Sequence, residues 1–355
     1  MQEGTMGFLH PVVNSTTCVD CGLCVKACPV INHPICSEPL EVYATIAKDK
    51  KVLTASNSGG FFSVAALHVL KNGGYVCGAV MDYNLEVVHV VTNKVNDLEK
   101  LQGSKYVQSK TEHIYKPIKK YLAEGKTVLF SGTGCQVAGL RTFLGKDYEG
   151  LITVEVVCHG VPSPGLYRKY LNWLSDKNGN KVESYKFRSK HKRPTGEHSE
   201  FFYTVNGKLL TGRSLEDPYY GSFLQGRTLR ESCYNCQFKG KSRVADFTIG
   251  DFWGIEKFHK NFPTGHGTSM VMVNTDKGKT FFDGIKGSLF YEVSTYEAAS
   301  CVNHSLEKTG CKFSQVIDFD SQTLFDVDLV PKLSYKDKIK NRLPWQIKQI
   351  LKRWI

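Results

Sequence analysis

The segment 127–164 constrains this chain more than any other. Two apolar, β-branched runs, residues 128–130 and 152–157, each lead into a cysteine set among glycines, Cys135 and Cys158, and each is followed by a helix-like stretch. That is a strand-turn-helix unit written twice. In an open α/β sheet, ligands sit in the crevice at the carboxyl ends of parallel strands, so the pattern predicts that both thiols reach one rim of a sheet. Two thiols facing one crevice point to a metal or redox centre.

At 355 residues the chain is long for one compact core and suits two packed subdomains with small additions. Its 12 cysteines argue for metal or redox use over a disulfide framework, because the first residues show no basic-then-apolar leader and the cytosol keeps thiols reduced. No uncharged apolar run approaches the ~20 residues that cross a bilayer, so a cytoplasmic location is expected. The net charge of +12 is concentrated at one end: residues 332–355 carry +7, leaving +5 for the rest, and a nucleic-acid partner is not expected.

Residues 14–30 read NSTTCVDCGLCVKACPV, placing Cys18, Cys21, Cys24 and Cys28 before Pro29. This is the C-x2-C-x2-C-x3-C-P run of bacterial 4Fe-4S ferredoxins, in which close thiolates wrap one corner of a cubane. A structural zinc site is the alternative, but such sites commonly pair two C-x2-C units about 15–20 residues apart. The second unit here, Cys233 with Cys236, lies far beyond that spacing. A single run supplies three ligands to one cluster and one to another, so either Cys28 or Cys36 completes a lone cluster or a further run is needed.

Between the cysteine groups the pattern alternates strand and helix. EVYATIAKDK reads as a strand, and SNSGGFFSVAALHVLKNGG as a helix whose start, from Ser56 to Gly60, could hold a dinucleotide pyrophosphate or be a plain N-cap. YVCGAVMD reads as a strand with Cys77 in the core. LYRKYLNWLSDKNG is an amphipathic helix stopped at Gly179. EFFYTVNGKLLTG is a hairpin turning at Asn206 and Gly207. The basic run with Lys186, Arg188, Lys190, Lys192 and Arg193 reads first as a solvated loop and second as a contact for an anion. Residues 266–285 read as a strand and helix closing the sheet. Cys301 and Cys311 read as bland. Cys233 and Cys236 alone fit a redox dithiol, zinc or a cluster; added to Cys135 and Cys158 they make the four thiolates of a second 4Fe-4S cluster, the alternative being a pair of buried thiols plus a surface dithiol. The tail 332–355 spaces Leu343, Ile347, Ile350, Leu351 and Trp354 helically, a basic amphipathic helix suited to an anionic membrane surface, a partner or its own domain.

NSGGFFSVAA, GSKYVQS, FSGTGCQVAGL, VVCHGVPSP and CYNCQFKGKSRVADFTIGDFWG, with the ferredoxin run, resemble the coenzyme F420 hydrogenase/dehydrogenase beta-subunit family over residues 7–311. The resemblance implies an α/β (α+β) main domain with a mixed sheet flanked by helices, preceded by a partial ferredoxin-like 4Fe-4S segment. Its divisions would be 1–40 for that segment, 41–126 and 127–311 for two halves of a flavin domain, 312–331 for a linker and 332–355 for the tail. It further implies an oxidoreductase with FAD or another flavin and 4Fe-4S clusters, exchanging electrons with a ferredoxin, a deazaflavin or a nicotinamide, in bacteria often within polysaccharide biosynthesis. A non-catalytic electron-transfer subunit is the competing expectation, and a zinc-binding adaptor a third.

Carried over by position, Cys18, Cys21, Cys24 and Cys28 match the family's ferredoxin cysteines, and Cys135, Cys158, Cys233 and Cys236 its later ones. Ser58, Gly59, Gly60, Lys105, Tyr106, Thr133, Gly134 and Gln136 match motifs implied to line the flavin pocket, and His159 and Asp251 are candidates for proton handling. MGFLHP, residues 6–11, resembles the separator between two ferredoxin runs, which implies that the first run is absent. Gly134 stands where relatives often carry proline, implying a looser turn beside Cys135.

Overall fold

A computed structural model describes residues 1–190, 200–307 and 317–335, together with 338, 339, 343 and 347. The chain opens with a short hairpin, β1 (Gln2–Glu3) against β2 (Leu9–His10), and one helical turn, α1 (Leu23–Lys26). The main sheet then begins with β3 (Glu41–Ala47), β4 (Tyr75–Met81), β5 (Val87–Thr92), β6 (Val128–Thr133) and β7 (Leu151–Val156). A second sheet of three antiparallel strands follows, β8 (Val182–Lys186), β9 (Glu200–Val205) and β10 (Lys208–Arg213), before the main sheet is completed by β11 (Phe247–Asp251), β12 (Ser269–Val273) and β13 (Leu289–Ser294). Its spatial order is β13-β3-β12-β11-β7-β6-β4-β5.

The centre of that sheet is parallel: β4, β6, β7 and β11 run the same way, while β5, β12 and β13 run against them. Parallel strands need both faces covered, because their crossovers are helices. One face is covered by α3 (Phe61–Lys71) and α10 (Asp276–Ile285), which bury Phe61, Ala65, Phe282 and Ile285 against Leu129, Val154 and Phe247. The other carries α5 (Tyr115–Ala123) and α6 (Gly134–Leu144), with Ile118, Val137 and Leu140 packed on Cys77, Phe130 and Leu151. Short helices α2 (Lys50–Ala55) and α4 (Leu98–Leu101) fill the connections, and α11 (Tyr296–Val302) covers the β3 and β12 side. Cys77 lies in the core as expected, and α3 begins and ends where its sequence signals place it.

A second core forms around α7 (Pro164–Asn178) and α8 (Pro218–Leu224), where Tyr167, Tyr170, Tyr185, Tyr219 and Tyr220 are all buried. The hairpin from β9 to β10 turns on Asn206 and Gly207, both at positive φ, and α7 stops at Gly179 in the left-handed region. The last helix before the strand β11 is the single turn α9 (Glu231–Tyr234). Among the described residues no helix is long and apolar enough to cross a membrane.

Residues 41–126 and 127–311, expected as halves of one domain, share one sheet, because β3 pairs between β12 and β13. Two expectations differ from the structure. The 266–285 strand and helix do not close the sheet: β12 is internal, and β13 forms the edge. The stretch 312–331, read as a linker, is packed where it is described, with Phe319, Leu324, Phe325 and Leu329 buried in the second core and Ser222 Oγ donating to the Leu329 carbonyl at 2.6 Å. Cys311 lies outside the described residues, as does most of the tail 332–355.

The register of β7 and β11 is fixed by a buried carboxylate. Asp246 is fully buried, and its oxygens accept from the Thr153 amide at 2.8 Å, the Thr153 hydroxyl at 2.7 Å and the Thr275 hydroxyl at 2.8 Å, with Arg141 at 3.4 Å. A buried charge is tolerated when its lone pairs are satisfied in this way. Gly59 shows how tightly the loop before α3 is seated on the sheet, since a Cβ there would lie 2.1 Å from the Thr45 carbonyl and 2.5 Å from the Ser269 amide. Gly59→Ala should therefore cost at least ~3 kcal/mol in urea unfolding. Gly125→Ala, at positive φ but in open space, should cost only about 1–2 kcal/mol. A Gly59→Ala protein as stable as wild type would contradict this packing.

Candidate functional site

Parallel pairing sets the site. Thr133 of β6 stands opposite Val156 of β7, and Val156 opposite Ile249 of β11. Two residues further along each strand come Cys135, Cys158 and Asp251, so the same register delivers all three to the carboxyl rim. The thiols of Cys135 and Cys158 thus reach one edge, as the twice-written unit predicts. Thr133 caps α6 in a reciprocal box with Gln136, which puts Cys135 in the first helical turn with its sulfur 3.0 Å from the Thr133 hydroxyl. Cys158 lies in the loop leading to α7, which Ser163 caps with Pro164 at its start.

Cys233 and Cys236 are brought to the same place by backbone bonds, the Arg230 amide donating to the Val161 carbonyl at 2.9 Å and the Cys233 amide to the Arg230 carbonyl at 2.8 Å. The four thiols feel one another. Protein surrounding Cys135 and its neighbours Cys236 and Cys233 push that thiol up to about 11, although water still reaches the residue. Burial, with Cys135 and Cys233, pushes Cys158 up to about 12. Burial also raises Cys233, against the opposing charges of Arg230 and Lys239. The Lys239 ammonium faces Cys158, Cys236 and Cys233 together and donates to the Ser305 carbonyl at 3.2 Å. Among the described residues no three His, Cys, Asp or Glu side chains stand already gathered as a metal's ligands. Four neighbouring thiols with a cation close by are the donor set that an iron–sulfide core would bind, and Cys135, Cys158 and Cys233 resist ionising without it.

The ferredoxin run lies alongside. Cys18, Cys21 and Cys24 are exposed and Cys28 is partly covered, with Gly22 at φ 66° opening α1. Its far end is held to the site's own elements: Thr142 Oγ of α6 donates to the Ala27 carbonyl at 2.7 Å, and the His33 ring lies 5.8 Å from that of Phe238. Ahead of it, the 6–11 segment seats Gly7 against Gly165, and Arg230 donates to the Leu9 carbonyl at 3.0 Å.

The expected flavin residues divide into two kinds. Gly59 is packed on the sheet, Gly60 holds φ 89° at the start of α3, and Ser58 donates to the Thr268 carbonyl at 2.8 Å. The Lys105 ammonium donates to the carbonyls of Lys100, Leu101 and Gln102, which uses all three of its protons, while burial and Lys186 pull it down to about 7. Gln136 donates to Ser109 at 2.8 Å. These groups have polar partners. Tyr106 packs among aromatic rings, stacked on Phe223 with centroids 4.8 Å apart and set against Phe187 and Tyr220. The turn at Gly134 is tight, not loose: a Cβ there would lie 3.0 Å from that of Phe238, and the residue begins α6.

His159 lies between the thiols and this aromatic wall, 3.2 Å from the Phe223 carbonyl through Nε2, and burial followed by Lys239 lowers its pKa. Asp251 is paired with Arg188 at 2.8 Å. The solvated-loop reading of the basic run fails at Arg188 and Lys190, while Lys186 is exposed on β8, and Lys192 and Arg193 lie outside the described residues. The Arg188 side chain is 4% exposed and also reaches the Asn57 carbonyl at 3.4 Å, and Lys190 donates to the carbonyls of Leu53 and Ser58 at 2.8 and 2.7 Å. Arg188 and Lys190 therefore clamp the loop before α3 to the rim. The sequence carried a sign of this, since Lys186, Arg188 and Lys190 alternate on one side of an extended stretch. Lys239, Arg243 and Glu155 had no such sign. The cavities near α7, one of about 230 Å³ against residues 3–7, lie apart from this rim.

Set beside known proteins, the chain matches two families. Residues 11–30 match the 4Fe-4S binding domain, and residues 125–299 match the family described as the C terminus of the coenzyme F420 hydrogenase/dehydrogenase beta subunit. Cys135, Cys158, Cys233 and Cys236 all fall inside the second of these matches. A chain of the F420-reducing NiFe hydrogenase complex from Methanosarcina barkeri is similar at 17% identity and a TM-score of 0.49, over 74% of this chain and 84% of that one. No curated protein matches.

In metal-free protein at pH 8, Cys135 and Cys158 should alkylate at least ten times more slowly than Cys18, Cys21 and Cys24, followed by mass spectrometry of each peptide, because the thiolate is the reactive form. Raising the pH should speed the slow pair. Equal rates at all five would contradict the crowding of the rim thiols.

Proposed function

We propose that this chain is a flavin- and iron–sulfur-dependent oxidoreductase that passes electrons between a two-electron carrier and two 4Fe-4S clusters. The observation that carries the reading is the parallel register that brings Cys135 and Cys158 to one rim, with the Cys233 and Cys236 loop bonded to Val161 beside it and a ferredoxin run held to α6 and Phe238. Cys18, Cys21, Cys24 and Cys28 would hold the outer cluster, and the rim thiols the inner one. In domain terms, residues 1–40 are the ferredoxin-like segment and 41–311 the flavin-bearing body.

A flavin would supply the exchange between two-electron and one-electron chemistry. The residues assigned to it act in different ways. Tyr106 offers its ring as a wall, and Thr133, Gly134 and Gln136 shape the rim beside Cys135. Ser58, Gly59 and Gly60 form the turn that receives the diphosphate end, kept in place by Arg188 and Lys190. Lys105 supports the wall through the carbonyls before it. His159, neutral and facing both thiols and aromatic wall, holds the proton that accompanies hydride exchange. Asp251 keeps Arg188 oriented and is the second proton-handling candidate.

The second reading is an electron-transfer subunit serving a partner enzyme, favoured by the exposure of Cys18, Cys21 and Cys24. Partner subunits, a ferredoxin, a deazaflavin and a nicotinamide are the carriers to test, and a place in polysaccharide biosynthesis rests on the family resemblance alone. Anaerobic reconstitution should give a brown protein with about eight iron per chain and bound flavin, Cys158→Ser and Cys24→Ser each losing about four iron. Zinc in place of iron, or no flavin uptake, would sink the proposal in its present form. Stopped-flow reduction by each carrier alone separates the enzyme from the subunit, which turns over only with its partner.

A further inference from the structure

We propose that Arg243 is the positioning residue of the inner centre, and that it couples that centre to the ferredoxin segment; the inference rests on the iron–sulfur reading above. The Arg243 side chain is 3% exposed, and its guanidinium reaches three elements at once. One nitrogen donates to the Phe238 carbonyl at 3.1 Å, two residues beyond Cys236, and lies 3.4 Å from Glu155 of β7, three residues before Cys158. The other donates to the Leu306 carbonyl at 3.0 Å, in the turn that also receives Gly240 and Lys239. The Glu155 oxygen it does not engage is buried and lies 3.2 Å from where a Gly134 side chain would begin, beside Cys135. Two of the cysteine-bearing elements, the Cys236 loop and the strand leading to Cys158, therefore meet at one group.

The fourth connection is through the backbone. Arg243 and Ser37 exchange both amide bonds, at 2.8 and 2.9 Å, so the segment following the ferredoxin run is paired to the residue that fixes the inner loop. Phe238, whose carbonyl Arg243 holds, also meets His33 of the same segment. A planar guanidinium can hold two carbonyls and a carboxylate in fixed directions, whereas an ammonium is a point charge on a flexible stem. The position thus requires arginine for its geometry as well as its charge.

The test uses the full chain, reconstituted anaerobically with iron and sulfide, and reads electron paramagnetic resonance and the midpoint potential of each centre. Arg243→Lys should leave the outer cluster's signal unchanged while the inner signal broadens or is lost, with iron falling by about half. If charge alone mattered, Arg243→Lys would match wild type and only Arg243→Gln would differ, and that result overturns the proposal. Should the variants fail to fold, the reciprocal measurement decides, since coupling acts both ways. In a Cys158→Ala chain with Arg243 intact, amide exchange at Ser37 and Arg243 should speed up relative to the loaded wild type. Unchanged exchange overturns the proposal. A wild-type chain that takes up no iron ends the iron–sulfur reading itself.

Discussion

The register between β6, β7 and β11 is the constraint on which the rest of the structure depends. Three parallel strands paired at Thr133, Val156 and Ile249 bring Cys135, Cys158 and Asp251 to one line, and a slip of one residue would turn every side chain to the opposite face. Asp246 prevents such a slip between β7 and β11, because its carboxylate would otherwise be left buried without the Thr153 amide and hydroxyl. A polar clamp inside the sheet thus fixes the placement of thiols at its edge.

The charges around that edge are arranged in two groups. Lys239, Arg230 and Arg243 lie with the cysteines, where four thiolates would repel one another without them. Arg188 and Lys190 lie across the rim, where they hold the loop before α3 through its carbonyls and through Asp251. His159, next to Cys158, has its pKa lowered by burial and by Lys239.

Much of this was legible in the sequence where the signal is local. The strand-turn-helix pattern around Cys135 and Cys158, the core place of Cys77, the stop at Gly179 and the turn at Asn206 and Gly207 each follow from neighbouring residues. What was not legible depends on partners far along the chain. The insertion of β3 between β12 and β13 is a pairing over more than 200 residues, which no periodicity encodes. Arg188 reads as a solvated loop until Asp251, 63 residues away, is seen beside it. Residues 317–331 look like a polar connection, yet four apolar side chains spaced along them fill the second core. Gly59 suggested a ligand's approach, and the sheet's own backbone supplies a sufficient reason for it.

The central claim is that thiols from β6, β7 and the Cys233 loop share one iron–sulfur centre. Anomalous diffraction at the iron edge, from crystals grown anaerobically after reconstitution, tests it most directly. The account predicts two separate iron peaks, one bonded to the sulfurs of Cys135, Cys158, Cys233 and Cys236 and one within the 18–28 loop. Iron at the loop alone, with the four rim sulfurs bound to nothing in common, would contradict it.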